Sequence, residues 1–270
     1  MSTASELRQL HDQSMLLRLP NAWDAGSARL IEAQGARAIA TTSAGFAWAL
    51  GYPDGRRLPV SEVVASVTRI VRVLRVPLSV DIEHGYSDNP ATVADTVMRL
   101  VDLGVAGINI EDGPDAPSLL ASKIVAIRNA LSKAGADLFV NARSDVFLAS
   151  LVDKPKQPGE SIARGDLYAS AGADGLFLPA LVDAAQIETI VKAVPLPLNV
   201  MALPGLPDAA ALERLGVRRL SGGSAIAQVV MGLAKALAEH FLLDGKSEAL
   251  LEHALPYAEM QSLFASPRAS

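Results

Sequence analysis

The chain alternates short apolar runs with longer amphipathic segments eight times, and this alternation constrains the fold more than any other feature. Each apolar run consists of a few residues, mostly Val, Leu, Ile and Ala, which is typical of strands that are buried on both faces. Strands that alternate with helices in this way lie parallel, and each helix crosses over to the next strand. The eight predicted strands are residues 16–20, 38–42, 78–82, 107–111, 138–142, 175–179, 198–201 and 218–221.

Eight strand–helix units predict an α/β fold, a (β/α)8 TIM-type barrel, with an open doubly wound sheet as the alternative. The length of 270 residues agrees with the roughly 250 residues that such a barrel takes. No low-complexity linker divides the chain, so residues 1–270 are predicted to form a single domain, in which 244–270 are a helical extension after the eighth unit. Within it, residues 248–264 are predicted to form one amphipathic helix, which packs on a neighbouring subunit or on its own barrel.

The amino-acid composition excludes several classes of function. The chain has no cysteine, which rules out disulfides, thiolate metal sites and a cysteine nucleophile. Its net charge of −5 comes without any basic block, so nucleic acid is not an expected partner. There is no basic start followed by an apolar run, and no run of ~18 apolar residues. We therefore expect a cytoplasmic protein that has no leader and does not span a membrane.

Glycine follows four of the predicted helices, at Gly35, Gly104, Gly172 and Gly216. Glycine in this position adopts the left-handed conformation that ends a helix. We expect all four to have that conformation, as repeated units of a barrel would show.

Charged residues follow directly after the apolar runs, where the active site of a barrel lies. Asp81 and Glu83 are two residues apart at the end of one strand, so both face the barrel interior, and Glu111 ends the next strand. Three converging carboxylates repel one another, and a hard divalent cation with oxygen ligands would balance them. The sequence therefore predicts a Mg²⁺ site at Asp81, Glu83 and Glu111. The alternative is that these acids pair with Arg or Lys, or cap helices.

Arg143 ends a buried strand, where an unpaired guanidinium would be too costly. Its two parallel N–H groups match a substrate carboxylate, although a structural pair with Glu111 or Asp145 is the alternative. Asn199, at another strand end, is a candidate for hydrogen-bonding the same ligand or for holding the backbone.

The histidines carry weaker signals than these acids and Arg143. His84 follows Glu83 in a loop, where a solvated position is favoured over an acid–base role. His11, His240 and His253 are predicted to lie at the surface.

Motifs along nearly the whole chain resemble the isocitrate lyase/phosphoenolpyruvate mutase superfamily. They are PNAWD at residues 20–24, TSA at 42–44, GYPD at 51–54, DIEHGY at 81–86, NIED at 109–112, ARSD at 142–145 and AGAD at 171–174. The resemblance implies a barrel whose last helix is exchanged between the subunits of a homodimer or homotetramer. It also implies Mg²⁺ near the three acids, held partly through water.

The resemblance further implies roles for individual residues around the ligand. It places the ligand carboxylate on Thr42, Ser43 and Ala44, with Arg143 on the oxyanion side, and it makes Asp54 an acid of a loop beside the site. The shared chemistry passes through an enolate-like oxyanion of a 2-oxo acid, stabilised by the metal and Arg143.

The chain departs from the superfamily pattern in the loop after Glu111. Lyases of the superfamily carry a Lys-Lys-Cys-Gly-His loop there, whereas residues 113–123 hold no Cys, no His and no Lys pair. The Lys and Asn of the phosphonopyruvate-handling loop are also missing. Both absences argue against isocitrate-type cleavage and against mutase chemistry.

We therefore expect an enzyme, a Mg²⁺-dependent lyase or decarboxylase that acts on a small 2-oxo or 2-hydroxy carboxylate such as oxaloacetate through a metal-stabilised enolate. Tyr86 or a bound water would replace the missing proton donor. The alternatives are a phosphoenolpyruvate mutase or phosphonopyruvate hydrolase, and a non-catalytic binder of 2-oxo acids.

Overall fold

Nine parallel strands form a nearly closed barrel in the computed structural model, which describes residues 3–265. The hydrogen-bonded order is β1-β9-β8-β7-β6-β5-β4-β3-β2, so the two ends of the sheet are the consecutive strands β1 and β2. The strands are β1 Leu17–Leu19, β2 Asn21–Ala22, β3 Ile39–Thr41, β4 Leu78–Asp81, β5 Gly107–Glu111, β6 Phe139–Arg143, β7 Gly175–Phe177, β8 Leu198–Met201 and β9 Arg219–Ser221. The predicted α/β barrel is confirmed.

Helices surround the barrel, and most of them cover its outside, as the sequence predicts. They are α1 Thr3–Asp12, α2 Ala25–Ala33, α3 Ser43–Ala49, α4 Val60–Val73, α5 Pro90–Asp102, α6 Pro117–Ala134, α7 Gln157–Ala171, α8 Ala184–Ala193, α9 Ala209–Arg214, α10 Ala225–Asp244, α11 Glu248–Leu251 and α12 Tyr257–Phe264, with a 3-10 turn at Lys154–Lys156. The helices from α4 to α9 turn their apolar residues toward strands that are almost fully buried. Gly35, Gly104, Gly172 and Gly216 all have positive φ, which confirms the predicted helix ends.

Proline bounds one predicted element and divides another. The predicted first strand, residues 16–20, is observed as β1, and Pro20, which has no N–H to continue the ladder, separates it from the short β2, which the sequence analysis does not predict. The predicted helix over 248–264 becomes α11 and α12, because Pro256 has no N–H to donate to a helical carbonyl oxygen and disfavours helix in the residue before it. Residues 266–270 of the predicted extension, like residues 1–2, lie outside the described residues.

The first helix closes the barrel at the amino ends of the strands. Leu7 and Leu10 of α1 pack with residues that begin strands, among them Leu17 and Phe139. A Cβ on Gly107 would lie 2.7 Å from Leu7 Cδ2, so glycine is needed for this close approach. The alternation of eight units does not predict α1, because a capping helix lies outside the repeat.

His11 lies in the same closure, which contradicts the predicted surface position. It is 3% exposed, its ring stacks on Phe139 with centroids 4.1 Å apart, and its Nδ1 lies 2.8 Å from the Leu7 carbonyl oxygen. Because a carbonyl only accepts, Nδ1 carries the proton. Burial, together with the positive charge of Arg219, lowers the pKa of His11 to about 3. His240 and His253 are exposed, as predicted.

The last barrel helix leaves part of the barrel wall uncovered. In α10 only Ala227 is buried, whereas Val229, Leu242 and Leu243 are 70%, 83% and 84% exposed. This helix is also long and apolar enough to cross a membrane by length and composition alone, which by itself is a weak indication. A groove of about 690 Å³ runs beside β1 and β9, lined largely by apolar atoms of residues 15–20, 220–222 and Ile226.

We predict that acidification destabilises the protein through His11. Its folded pKa is lowered, so the contribution to stability is present above the unfolded pKa of 6.5 and is lost as pH falls below it. Between about pH 7.5 and about pH 5, His11 should account for about 2 kcal/mol of lost unfolding free energy. Urea unfolding of the wild type and of His11→Met measures this, since the variant should lose less on acidification. The exposed His240→Met is the control, and an equal pH dependence in all three proteins contradicts the prediction.

Candidate functional site

The polar strand ends meet at the carboxyl end of the barrel. β4, β5 and β6 are adjacent, with Asp81 opposite Asn109 and Glu111 opposite Arg143 in the register. Thr41 Oγ1 accepts a hydrogen bond from the backbone N–H of Asp81 at 2.9 Å and so ties β3 to the same edge. The residues predicted from separate strand ends are therefore brought to one place.

The guanidinium of Arg143 is held between two carboxylates. Its Nη1 lies 2.9 Å from Glu111 Oε2, and its Nε and Nη2 donate to the two oxygens of Asp145 at 2.7 and 3.2 Å. The ring of Phe177 lies below it, with the guanidinium carbon 5.8 Å from the ring centroid. Burial disfavours the charged form, but Glu111 and Asp145 outweigh it and raise the pKa of Arg143. The structural pairs that the sequence offered as an alternative are both present, and one N–H on each of Nη1 and Nη2 remains for a ligand.

The three predicted metal ligands lie in a partly enclosed acidic cluster. Asp81 and Glu83 are 8% and 4% exposed, and the side chain of Glu111 is 15% exposed. Burial raises the pKa of Asp81 and of Glu83, and raises that of Glu111 to about 8, while Arg143 opposes the shift of Asp81 and Glu111. Asp81 also raises the pKa of both glutamates by repulsion. Binding of a positive charge would therefore stabilise the ionised form of the cluster.

The donor set fits a Mg²⁺ ion. All its side chains offer oxygen, which is what a hard cation prefers. Among residues 3–265, no three His, Cys, Asp or Glu side chains lie close enough to form a ready-made metal cage. Mg²⁺ usually takes one or two carboxylates and keeps several waters, so a preformed cage is not required.

A strained turn after β4 carries Glu83 and Tyr86. Both have positive φ, 51° and 60°, which is uncommon outside glycine, and Gly85 between them has φ 90°. The backbone N–H of Arg56 donates to Glu83 Oε2, and Arg56 also has a positive φ, 66°. The Arg56 side chain reaches Asp115 at 2.7 Å, so this contact joins the turns after β3, β4 and β5.

Lys123 holds the same turn from below. Its side chain is 2% exposed, and its Nζ donates to the carbonyl oxygen of His84 at 2.9 Å. His84 itself is 7% exposed, which differs from the solvated position that the sequence favours. Burial, together with the positive charges of Arg56 and Lys123, lowers its pKa to about 4, so His84 is neutral near pH 7. The sequence gives no signal for this burial, because it depends on packing against α6.

Other predicted residues lie at different depths. Thr42 and Ala44 are buried at the start of α3, Ser43 between them is half-buried, and Asp54 is exposed. Asn199 is 1% exposed and donates from Nδ2 to the backbone carbonyl oxygen of Val200 at 2.7 Å and to Ser221 Oγ at 3.1 Å, in the barrel interior. The amide of Asn199 is thus engaged within the barrel, which agrees with the backbone-holding alternative.

A buried network behind Arg143 is the main feature that the sequence analysis misses. Asp112 Oδ2 accepts from Tyr168 Oη at 2.6 Å and from Arg164 Nη1 at 2.8 Å, and its Oδ1 accepts from the backbone N–H of Asp145 at 3.0 Å. Asp145 in turn holds Arg143. The only sequence signal is that Asp112 follows Glu111, since Arg164 and Tyr168 come from the distant helix α7.

We predict that Asp112→Asn lowers the unfolding free energy by about 1.5–3 kcal/mol, because it removes the buried charged acceptor of Arg164 Nη1 and leaves Arg164 only its pair with the partly exposed Glu160. Asp115→Asn is the matched control: it removes the partly exposed pair with Arg56 and should cost less than about 1 kcal/mol. Urea unfolding near pH 7 compares the two. Equal losses of unfolding free energy in the two variants would contradict the prediction.

Comparison with known proteins identifies the family of this chain. Residues 7–242 match the family profile described as phosphoenolpyruvate phosphomutase. An uncharacterised protein of Mycobacterium tuberculosis is 39% identical over 94% of this chain and 93% of that chain. An oxaloacetate decarboxylase of Pseudomonas aeruginosa is 33% identical over 81% of this chain and 78% of that chain.

Solved structures agree with these matches. A protein of Burkholderia cenocepacia J2315, described provisionally as a lyase or mutase, is 32% identical with a TM-score of 0.89, covering 98% of this chain and 96% of that chain. A 2,3-dimethylmalate lyase shares the fold at 23% identity, with a TM-score of 0.86 over 97% of this chain and 95% of that chain. The barrel, the strand-end motifs and the family match lead to one conclusion: the chain belongs to the phosphoenolpyruvate phosphomutase family, within the phosphoenolpyruvate mutase/isocitrate lyase superfamily.

Proposed function

We propose that this protein is a Mg²⁺-dependent carbon–carbon lyase that decarboxylates a small 2-oxo dicarboxylate such as oxaloacetate. The observation that carries the proposal is the guanidinium of Arg143, fixed by Glu111 and Asp145 beside the acidic cluster. A cation site next to a fixed donor is what is needed to stabilise an oxyanion that develops on a substrate. The similarity to oxaloacetate decarboxylases supports the choice of substrate.

Asp81, Glu83 and Glu111 would hold the Mg²⁺, in part through water. When bound, Mg²⁺ would act as a Lewis acid that polarises the 2-oxo group of the substrate. The loss of a proton from Glu111 on metal binding would follow from its raised pKa. This acidic cluster would also keep the guanidinium of Arg143 charged throughout the reaction.

The protein's own residues would bind and orient the substrate. Thr42, Ser43 and the backbone at Ala44 would bind the carboxylate next to the 2-oxo group, and the free N–H groups of Arg143 would face the 2-oxo oxygen. The bond between C3 and the distal carboxylate would then break. CO₂ would leave, and the electron pair of the broken bond would be delocalised to the 2-oxo oxygen as an enolate. Arg143 would stabilise that negative charge by hydrogen bonding.

Tyr86 is the proposed proton donor to C3 of the enolate. Burial, followed by the negative charges of Glu83 and Asp81, raises the pKa of Tyr86, so its hydroxyl keeps its proton near neutral pH. Once the proton has moved to C3, water would restore it to the phenolate. Asp54, exposed at the edge of the site, would help to admit water and to close the loop over the substrate.

We predict that the purified protein converts oxaloacetate to pyruvate and CO₂ only with added Mg²⁺, and that a chelator stops the reaction. Arg143→Ala should lower kcat/KM by about 10²–10³-fold, because it removes the donor to the developing oxyanion. Arg69→Ala, an exposed arginine on α4, is the control and should leave kcat/KM unchanged. Pyruvate formation is followed with a coupled assay after subtraction of the metal-catalysed background in solution. A rate equal to that background contradicts the proposal.

Two further assays on the wild-type protein test the two alternatives. Conversion of phosphonopyruvate, followed by phosphorus NMR, would indicate a mutase or a hydrolase. Thermal stabilisation by oxaloacetate or 2-oxoglutarate without turnover of either would indicate a binder of 2-oxo acids.

We further propose a cytoplasmic homodimer or homotetramer in which α10 packs on a second copy of the chain. The apolar surface of α10 and the groove beside β1 and β9 support this, because a barrel wall without a covering helix leaves apolar surface in water. The second copy would supply the missing cover. Residues 244–270 would belong to the same contact as a helical extension of the single domain.

We predict that Val229→Glu combined with Leu233→Glu, one turn apart on the exposed face of α10, shifts the wild-type oligomer toward monomer. Burying two carboxylates in an apolar contact is unfavourable, whereas Lys235→Glu on the same helix should leave the mass unchanged. Size-exclusion chromatography with light scattering gives the masses. The proposal is contradicted if the wild-type protein is a monomer, or if it floats with lipid vesicles and does not self-associate.

A further inference from the structure

A layer of buried amides lies inside the barrel directly beneath the acidic cluster. Asn109 and Asn141 are each two residues before a site residue on the same strand, so they face the interior one step below Glu111 and Arg143. Asn141 Nδ2 donates to Asn109 Oδ1 at 2.9 Å and to Asn199 Oδ1 at 3.0 Å. The layer forms a polar floor between the site and the apolar closure around α1.

Arg219 of β9 enters this floor as a buried cation. It is 0% exposed, and its Nη2 donates to Asn109 Oδ1 at 3.1 Å. Its Nε and Nη1 are buried without a hydrogen-bond partner within residues 3–265, and no carboxylate of those residues lies within 4 Å of it. Burial lowers the pKa of Arg219 to about 9, so it is still charged near pH 7, and Asp81 is the anion whose attraction opposes that shift.

A buried guanidinium with no contacting carboxylate must be balanced at a distance, because an uncompensated buried charge is costly. Asp81 of the site is the acid whose attraction reaches Arg219. When Asp81, Glu83, Glu111 and Asp145 are all ionised, their four negative charges face two guanidiniums, those of Arg143 and Arg219. The exposed Asp54 and Arg56 at the rim also act on Glu83, but they carry opposite charges and leave this sum unchanged. The remaining charge of −2 equals what one divalent cation neutralises. Without Arg219 the same site would stay negative with the metal bound, and would repel an anionic substrate.

We propose that Arg219 is a charge-balancing residue of the site, which favours binding of a dicarboxylate anion and at the same time limits the affinity for the divalent cation. The proposal rests on the proposed function, because it takes the acidic cluster as the metal and substrate site. Arg219 does not contact either ligand in this account. It acts through the field of its charge, which the low dielectric of the barrel interior screens only weakly.

The test uses two ligands of opposite charge, Mg²⁺ alone and oxalate at saturating Mg²⁺, measured by isothermal titration calorimetry on the full-length protein. Arg219→Met removes the charge, and Asn109→Asp cancels it by placing a carboxylate against Arg219 Nη2 in a side chain of the same shape. Both changes should lower the Kd for Mg²⁺ and raise the Kd for oxalate, each by about threefold to tenfold. Opposite signs distinguish a charge effect from a structural one, because damage to the fold weakens both ligands.

One control completes the design. Arg218→Met removes the same side chain one residue earlier, where alternation turns it away from the barrel interior, and should change neither. If Arg219→Met does not fold, as judged by circular dichroism, Asn109→Asp and Arg218→Met carry the comparison.

The outcomes separate the two proposals. Wild-type binding of both ligands, with affinities in the variants that fall together or do not change, overturns the inference and leaves the proposed function standing. Failure of the wild type to bind either Mg²⁺ or oxalate overturns the proposed function and the inference with it. Opposite shifts in Arg219→Met and Asn109→Asp, absent from Arg218→Met, support the inference.

Discussion

The fixed guanidinium of Arg143 is the interaction on which the site depends. Glu111 comes from the neighbouring strand and Asp145 from the segment after β6, so the ion pairs exist only if β5 and β6 are in register and the following turn is in place. Asp112 secures that turn through the backbone of Asp145, and helix α7 secures Asp112 through Arg164 and Tyr168. The geometry at the mouth of the barrel is therefore set by contacts that reach through the wall to its outer helices.

The site is built from charges that the fold alone would not favour. Buried acids that repel one another destabilise a protein unless a cation or a hydrogen-bond donor balances them. Here the balance comes in layers, with Arg143 among the acids, a floor of amides below, and Arg219 within that floor. Glu83 and Tyr86 at the rim add backbone strain, because both adopt the left-handed conformation. Strain of this kind is concentrated at functional sites in proteins.

The sequence predicts the architecture well and the surroundings of the site poorly, for physical reasons. Apolar runs and glycine helix ends are local signals, so the barrel and the positions of Asp81, Glu111 and Arg143 at strand ends follow from them. The burial of His11, His84 and Lys123 depends on which distant element packs against them, and no local pattern contains that information. The same holds for Asp112, whose partners come from α7. The break at Pro256 could have been predicted from the sequence, since proline interrupts helices.

The helix at the amino ends of the strands has a consequence for how the chain reaches its native state. Leu7, Leu10 and His11 are synthesised well before Gly107 and Phe139, on which this part of α1 packs and which belong to strands from the middle of the chain. Contacts so distant in sequence close large loops and form late. During synthesis, the apolar face of α1 therefore stays without its native partners until the middle strands have left the ribosome. The amino end of the barrel can close only after that point.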